Sequence, residues 1–227
     1  MIKADKIDVW GFDHAIRGMR NPLNSWDKSD SYQSDFTDDL KNGFVIGEND
    51  MKLMKKLCAS GSEHRKFLRQ IFVSMDITAP LYWWKEFDTY KVGTTANSCS
   101  TMHKIADKEF TFADFSTEHL VMDDLHTELL TGSGKQTDIL VTPYNLMNIT
   151  IGCLNNYRLM YLKTKEKVYW WQMIQLLPTS YNQKRTVTMT YENALSMIKQ
   201  RTHHKLDEWN DFVKILLSLP YVEELKE

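Results

Sequence analysis

Apolar and polar side chains alternate most regularly over residues 71–78, where Ile71, Val73, Met75 and Ile77 interleave with Phe72, Ser74, Asp76 and Thr78. That period of two predicts a half-buried strand. Ahead of it, Met51, Met54, Leu57 and Cys58 fall on one helical face, with Asn49 or Asp50 placed to cap the helix and Gly61 to stop it. Ser62 predicts another turn or two over SEHRKFLRQ. Nearer the start, residues 7–12 read as a short strand. A polar run follows, RGMRNPLNSWDKSDSYQSDF, in which Arg17, Arg20, Ser25 and Lys28 lie close together in sequence. Such a run is a solvated connection, or a loop offering phosphate contacts.

The strand leads into TAPLYWWKEFDTYKVGTTANSCSTMHK, residues 78–104. Thr78 is placed to cap a helix with Pro80 in its first turn and Tyr82, Trp83, Trp84 and Phe87 on the buried face. After Gly93 the apolar period disappears. The hydroxyls and amide of TTANSCST suit either a surface loop or a wrap around phosphate, ribose or base. Residues 106–115 carry no clear period. Ser116 opens a predicted helix bearing Leu120, Val121, Leu125 and Leu129, closed near Gly132-Ser133-Gly134, the best candidate hinge. Residues 138–177 predict two helices broken near Thr164-Lys165. Their Tyr157, Tyr161, Tyr169, Trp170 and Trp171 fit a core or a subunit interface. Leu177-Pro178 stops the second helix. Residues 185–190 alternate like a strand, Thr190 caps a helix through Arg201, and a last helix spans 204–217.

Composition narrows the classes. At 227 residues the chain has ample length for a core, and its 42% hydrophobic and 26% charged content is that of a folded globular protein. A formal net charge of −2 gives no pull towards nucleic acid or membrane, so an anionic ligand needs a local cluster of donors. No apolar run approaches the ~20 residues that span a bilayer, and Met1-Ile2-Lys3-Ala4-Asp5 predicts no secretory signal. Cys58, Cys99 and Cys153 form no C-x-x-C pair, which argues against a disulfide framework or structural zinc and for a reduced, cytoplasmic protein.

The common phosphate-loop, dinucleotide, zinc-protease and serine-hydrolase motifs are absent from the sequence. His203 and His204 are adjacent and cannot both face one metal from a helix, so they read as a surface pair. Cys99 and His103 stand four apart, a weak nucleophile–base pairing without an orienting third group.

The segment order and these residues resemble the flavin-dependent thymidylate synthases, whose signature is R-H-R-x-x-S followed by N-E-x-S-x-R-Y. Thr89-Tyr90-Lys91-Val92-Gly93-Thr94 falls on the first half. After one inserted residue, Asn97-Ser98-Cys99-Ser100-Thr101-Met102-His103 falls on the second. Leu177-Pro178, a strand, a helix and Arg201 repeat a second region of the family, and the likeness extends from Gly47 to about Leu217. Asn97, Ser100 and Arg201 are identical to the family's residues; Lys91, Thr94, Ser74 and Glu86 are approximate replacements. Thr89 and Tyr90 stand for arginine and histidine, Ser98 for glutamate and Met102 for arginine. Threonine or methionine cannot supply an arginine fork, so phosphate contact would pass to donors such as Arg17, Arg20 or Lys205.

The resemblance implies a mixed α/β (α+β) fold, a central sheet with helices packed on it, as a single domain over 1–227. It also implies a homotetramer holding flavin and nucleotide at subunit interfaces. FAD would be the cofactor and NADPH its reductant. Methylenetetrahydrofolate would supply one carbon to C5 of the uracil of dUMP, and the product would take hydride from the reduced flavin. By position, Arg201 would bind the pyrimidine and stabilise negative charge on it, with Glu86, Ser98 and Ser100 as further substrate contacts. Ser74, Thr89, Tyr90, Lys91, Asn97, Thr190 and Lys205 would contact the cofactor, with no metal. The lost arginines keep open an alternative: a degenerate relative that binds nucleotide or assembles without catalysis.

Overall fold

The alternating stretch becomes a strand because burying one face of it removes Val73, Met75, Ile77 and Ala79 from water almost completely, while Ser74 and Asp76 stay on the polar face. The computed structural model describes residues 2–34, 43–122, 127–130 and 136–226. In its first half the elements are β1 (Lys3–Trp10), α1 (Phe12–Arg20), β2 (Tyr32–Gln33), β3 (Phe44–Val45), α2 (Glu48–Ala59), β4 (Phe72–Pro80), α3 (Leu81–Phe87), β5 (Thr94–Ser98) and α4 (Thr101–Lys104). Then come β6 (Thr127–Leu130), β7 (Gln136–Val141), α5 (Pro143–Thr164), α6 (Lys167–Leu176), β8 (Asn182–Thr190), α7 (Tyr191–Arg201), α8 (Asp207–Leu217) and α9 (Val222–Leu225). The fold is mixed α+β.

Contacts divide the chain into two units, one of Ala79–Tyr82 and Cys99–Gln183, the other of Ile2–Thr78, Trp83–Ser98 and the chain from Lys184 onward. The second unit holds the sheet, in the order β1-β4-β8-β5. β1 pairs antiparallel with β4 (Asp8 opposite Ser74), and β5 with β8 (Asn97 opposite Thr186). Between β4 and β8, Thr188 Oγ1 donates to Ser74 Oγ and Thr186 Oγ1 to Asp76, so partners descend along one strand as they ascend the other. Directly opposed residues share a face, which places Ser74, Asp76, Thr186, Thr188, Thr95 and Asn97 together on the polar side.

Residues 94–98 were expected to carry no regular structure and instead form β5. As an edge strand exposed on both faces it needs no apolar period, only the pairing that β8 supplies. Thr78, expected to cap α3, lies inside β4 opposite Lys3. The first N–H groups of α3 are satisfied by backbone instead, Leu81 donating to the Tyr181 carbonyl and Tyr82 to that of Thr179. Nor is α2 capped by Asn49 or Asp50. Its N-cap is Gly47, and the Asp30 carboxylate accepts from the N–H groups of Asn49 (2.9 Å) and Asp50 (3.1 Å), a cap delivered from a different loop. The described part of the polar run is thus tied into the fold rather than a simple solvated link: Arg17 and Arg20 belong to α1, and Asp30 caps α2.

In the first unit α5 and α6 form, separated as expected near Thr164-Lys165, at Lys165 in a left-handed conformation (φ 60°), but residues 138–141, expected in the first helix, belong to β7 instead. They enclose a core of Ile105, Phe110, Phe115, Ile151, Leu154 and Met173, with Tyr157, Tyr161 and Trp170 packed against it. The helix expected from Ser116 does not form: residues 116–122 are not helical, and 127–130 are β6, antiparallel to β7. A short apolar run fits either state, and pairing with 136–141 satisfies its backbone as a strand. Gly132-Ser133-Gly134 lies outside the described residues. No described helix is long and apolar enough to cross a membrane.

Candidate functional site

The site is built in the second unit where α3, α7 and the loop before α8 meet. The buried face of α3 presents Trp83 and Phe87, which pack with Trp209 and Phe212 of α8 at ring separations of 4.8–6.4 Å. That aromatic floor joins α3, which carries Glu86, to α8. Thr190 starts α7, its hydroxyl accepting from the Asn193 N–H at 3.3 Å, as the sequence predicts, and α7 ends at Arg201.

Arg201 reaches back across the floor. Its Nε donates to the Tyr90 hydroxyl (2.9 Å) and its Nη1 to Glu86 Oε2 (2.8 Å), while the guanidinium lies 4.6 Å above the Trp209 ring. The Tyr90 hydroxyl in turn donates to Gln200 Oε1 at 3.0 Å. Glu86 Oε2 also accepts from the Trp209 indole N–H at 3.1 Å. His204 completes the group. Its Nδ1 accepts from the Leu206 N–H (3.1 Å), and its Nε2 lies 3.1 Å from Arg201 Nη1 and 3.5 Å from the same Glu86 oxygen. Two donors, from Arg201 and Trp209, therefore converge on Oε2. Among the described residues no partner engages Glu86 Oε1 or Arg201 Nη2, so one ion-paired couple keeps an open acceptor and open donors at a half-buried edge.

Tyr90 also lines a cavity of about 270 Å³ with Phe87, Asp88, Lys91, Thr94 and Ala96. The Thr94 hydroxyl, buried in this wall, has no hydrogen-bond partner among the described residues, a state a native site leaves unfilled only at a cost. A ligand oxygen or N–H in the cavity would satisfy it.

Of the candidate residues, the structure gathers Glu86, Tyr90 and Arg201 into one hydrogen-bonded group, with Lys91 on the adjoining cavity. Thr89 sits in the turn after α3, its hydroxyl donating to the Glu86 carbonyl at 2.7 Å. Ser74 and Asn97 lie elsewhere, on the polar sheet face. Ser98, at the end of β5 opposite Arg185, is on the reverse face. Thr190 is buried, and besides capping α7 its hydroxyl donates to Asn193 Oδ1 at 2.5 Å. Lys205 is exposed in the bend before α8. Ser100 belongs to the other unit, where it caps α4 by accepting from the His103 N–H at 3.1 Å. Of the alternative phosphate donors, Arg17 is exposed, whereas Arg20 is buried and held by Asp50 at 2.6 Å.

Trp209 and His204 were missed. The adjacent histidines read as a surface pair, and His203 is exposed, but His204 turns inward against Trp209. The left-handed backbone at His203 (φ 61°) makes that reversal, and nothing in the spacing announced it. Among the described residues no cluster of His, Cys, Asp or Glu is arranged to hold a metal.

Gly93 sets the return of the chain into β5. Its φ is +76°, and an added Cβ would stand 2.6 Å from Asn193 Oδ1, the residue whose Nδ2 holds the Val92 carbonyl at 2.7 Å. Gly93→Ala is expected to cost about 1–2 kcal/mol of stability in chemical denaturation from the left-handed backbone alone. It should also loosen the Lys91–Thr94 wall, read as faster amide exchange there.

No protein-family model matches the sequence, and no curated protein matches it significantly. Solved structures define the class of fold. The flavin-dependent thymidylate synthase ThyX from Helicobacter pylori, complexed with FAD and dUMP, superposes with a TM-score of 0.64 at 15% identity, over 98% of this chain and 98% of its own. The UMP/dUMP methylase PolB from Streptomyces cacaoi, bound with 5-Br dUMP, gives 0.59 at 15% identity, over 99% of this chain and 93% of its own. The chain has the fold of the flavin-dependent thymidylate synthases, over nearly its whole length.

Proposed function

We propose that this chain is a flavin-dependent enzyme of pyrimidine nucleotides, which transfers a one-carbon unit to C5 of a uracil nucleotide, dUMP, as one functional domain over 1–227. The observation that carries the reading is that Glu86 and Arg201, joined through Oε2 and Nη1, each keep a further polar atom, Oε1 and Nη2, without a partner among the described residues. A uracil edge offers an N–H flanked by two carbonyls, so a carboxylate oxygen beside a guanidinium N–H matches it donor for acceptor. The solved neighbours, bound with dUMP, 5-Br dUMP or 5-Br UMP, support the same ligand class.

Arg201 would place the ring and stabilise negative charge that develops on its carbonyl, an effect that can reach about 3 kcal/mol for one well-aimed donor. Trp209 holds Glu86 in register by donating to its other oxygen, with His204 beside it against the Trp209 ring. The donor set also fits FAD. Lys91 offers a cation beside the cavity and Thr94 an unsatisfied hydroxyl in its wall, whereas Ser74 and Asn97 are on the opposite sheet face. When bound, the flavin would supply hydride-transfer chemistry, with NADPH and methylenetetrahydrofolate as co-substrates and a cytoplasmic homotetramer as the working form.

A second reading is favoured by the neutral residues Thr89, Tyr90 and Met102 where the family has arginine or histidine: a protein that binds nucleotide without turnover. Titration of the purified chain with FAD and with dUMP is expected to show perturbed flavin absorption and saturable nucleotide binding. Binding of neither overturns both readings. Binding of dUMP without dUMP-dependent oxidation of reduced flavin selects the second.

A further inference from the structure

In the first unit the packed pair α5 and α6 ends in a tip that the core does not absorb. Only Lys165 and Glu166 join the two helices, so the last turns of α5 lie beside the first of α6. Leu159 (61% exposed), Leu162 (40%), Val168 (52%) and Trp171 (42%) stand in water there. Trp170, by contrast, packs against the core and donates its indole N–H to the Met102 carbonyl at 3.2 Å. Lys163, Lys165 and Lys167 surround the same tip, all exposed. Among the described residues none of the three has an ion-pair partner. Lys165 and Lys167 lie 5.7 Å from the centres of the Tyr161 and Trp171 rings, contacts that leave their charge uncompensated. From Pro143 to Leu176 the single acid is Glu166, against Arg158 and these lysines. The formal charge of −2 on the whole chain conceals that local excess of cations.

Clustered exposed aliphatics and a tryptophan gain from leaving water. Lysines can lay their stems on hydrocarbon while the ammonium groups stay at a polar boundary. Both demands are met at the headgroup level of a bilayer, where tryptophan and lysine are favoured together. A nucleic acid matches the tip poorly, because three of its four exposed apolar side chains are aliphatic and offer no face for base stacking. A second copy matches it no better. A two-fold contact sets a patch against itself, and here it would bring three lysines against three more. We propose that the α5–α6 tip docks the protein on an anionic lipid surface, with Leu162, Val168 and Trp171 entering the headgroup region and the three lysines meeting the anionic heads. The helices lie on such a surface and do not cross it, since none is long and apolar enough to do so. The proposal does not depend on the nucleotide reading, whose residues Glu86 and Arg201 belong to the second unit.

The test is flotation of the purified full chain, at low ionic strength, with vesicles of phosphatidylcholine alone or with about one-third phosphatidylserine. Binding to the mixed vesicles is expected, weakening as salt is added, with little binding to phosphatidylcholine alone. The triple variant Lys163→Gln, Lys165→Gln, Lys167→Gln changes only exposed positions. It should bind the mixed vesicles roughly 100-fold more weakly, about fivefold for each charge removed. Mixed vesicles with brominated acyl chains should quench part of the tryptophan fluorescence of the parent and far less in Trp171→Phe, a readout that attachment by charge alone would not give. No binding to the mixed vesicles, equal binding to both compositions, an unchanged triple variant, or quenching unaltered in Trp171→Phe overturns the assignment. A chain that does not float, but self-associates in sedimentation until Leu159→Ser and Leu162→Ser are introduced, overturns it in favour of a second copy.

Discussion

Arg20→Ala is expected to lower the unfolding free energy by about 3–5 kcal/mol, the usual penalty for leaving one member of a buried ion pair alone. Asp50, fully buried in the first turn of α2, takes Arg20 Nε on one oxygen at 2.6 Å. Its other oxygen accepts from the hydroxyls of Ser29 and Ser31, both at 2.7 Å, and from the N–H groups of Asp30 and Ser31, both at 3.1 Å. The end of α1, the 29–31 loop and the start of α2 are tied through one carboxylate. Burial alone would push the Asp50 carboxyl up, but the bonds from Ser31, Ser29, Arg20 and the Asp30 backbone outweigh it and hold it below the ordinary carboxylate range. The sign for stability follows. The folded state binds this proton less readily than the unfolded chain, so the contribution is complete above the ordinary value and is lost as pH falls through the lowered one. Urea denaturation is the measurement. Arg20→Ala and Asp50→Asn should both show a reduced midpoint at pH 7, and Asp50→Asn should lose less stability than the parent as pH drops below the carboxylate range. A midpoint unchanged in both variants would show that Ser29 and Ser31 alone suffice.

That network also marks the limit of what the chain discloses in one dimension. The strand at 71–78, the helix pair broken at Thr164-Lys165, and the Thr190 cap were all legible, because each is set by local period or by a cap three residues from its partner. The Asp30 cap was not, since its acceptor lies 19 residues before Asn49, and Asn49 and Asp50 offered a nearer, equally plausible cap. Arg20 looked like one of several loop cations, and only the fold shows that it is consumed. β5 was invisible for the opposite reason: an edge strand with both faces in solvent carries no apolar signal, and its order comes entirely from β8. In the site, Arg201 and Glu86 were nominated by family resemblance rather than by pattern. Trp209 and His204, which position Glu86, lie beyond the helix end, and no periodicity links them to α3.

Glu86→Gln is expected to reverse the base preference of the site. The two donors on Oε2, from Arg201 and Trp209, would take the single carbonyl oxygen of the glutamine. Its amide nitrogen would then stand where Oε1 was. An acceptor beside the guanidinium becomes a donor, and two adjacent donors match the N3 and O2 acceptors of cytosine, not the N3–H of uracil. In the parent, a mispaired cytosine leaves buried polar groups unsatisfied at about 1–3 kcal/mol each, so dUMP should bind better than dCMP by roughly 10- to 100-fold. In Glu86→Gln that ratio should fall to unity or invert. Arg201→Lys is the companion variant. It keeps the charge, but lysine cannot reach Tyr90 and Glu86 while presenting further N–H groups to a ligand. Both nucleotides should weaken together, about tenfold or more, with the ratio little changed. Calorimetric titration reads both effects without turnover, and circular dichroism confirms that each variant is folded. A dUMP-to-dCMP ratio that is the same in the parent and in Glu86→Gln would show that the uracil edge does not meet Glu86. The pairing with Arg201 would then be an internal ion pair of the helix end and nothing more.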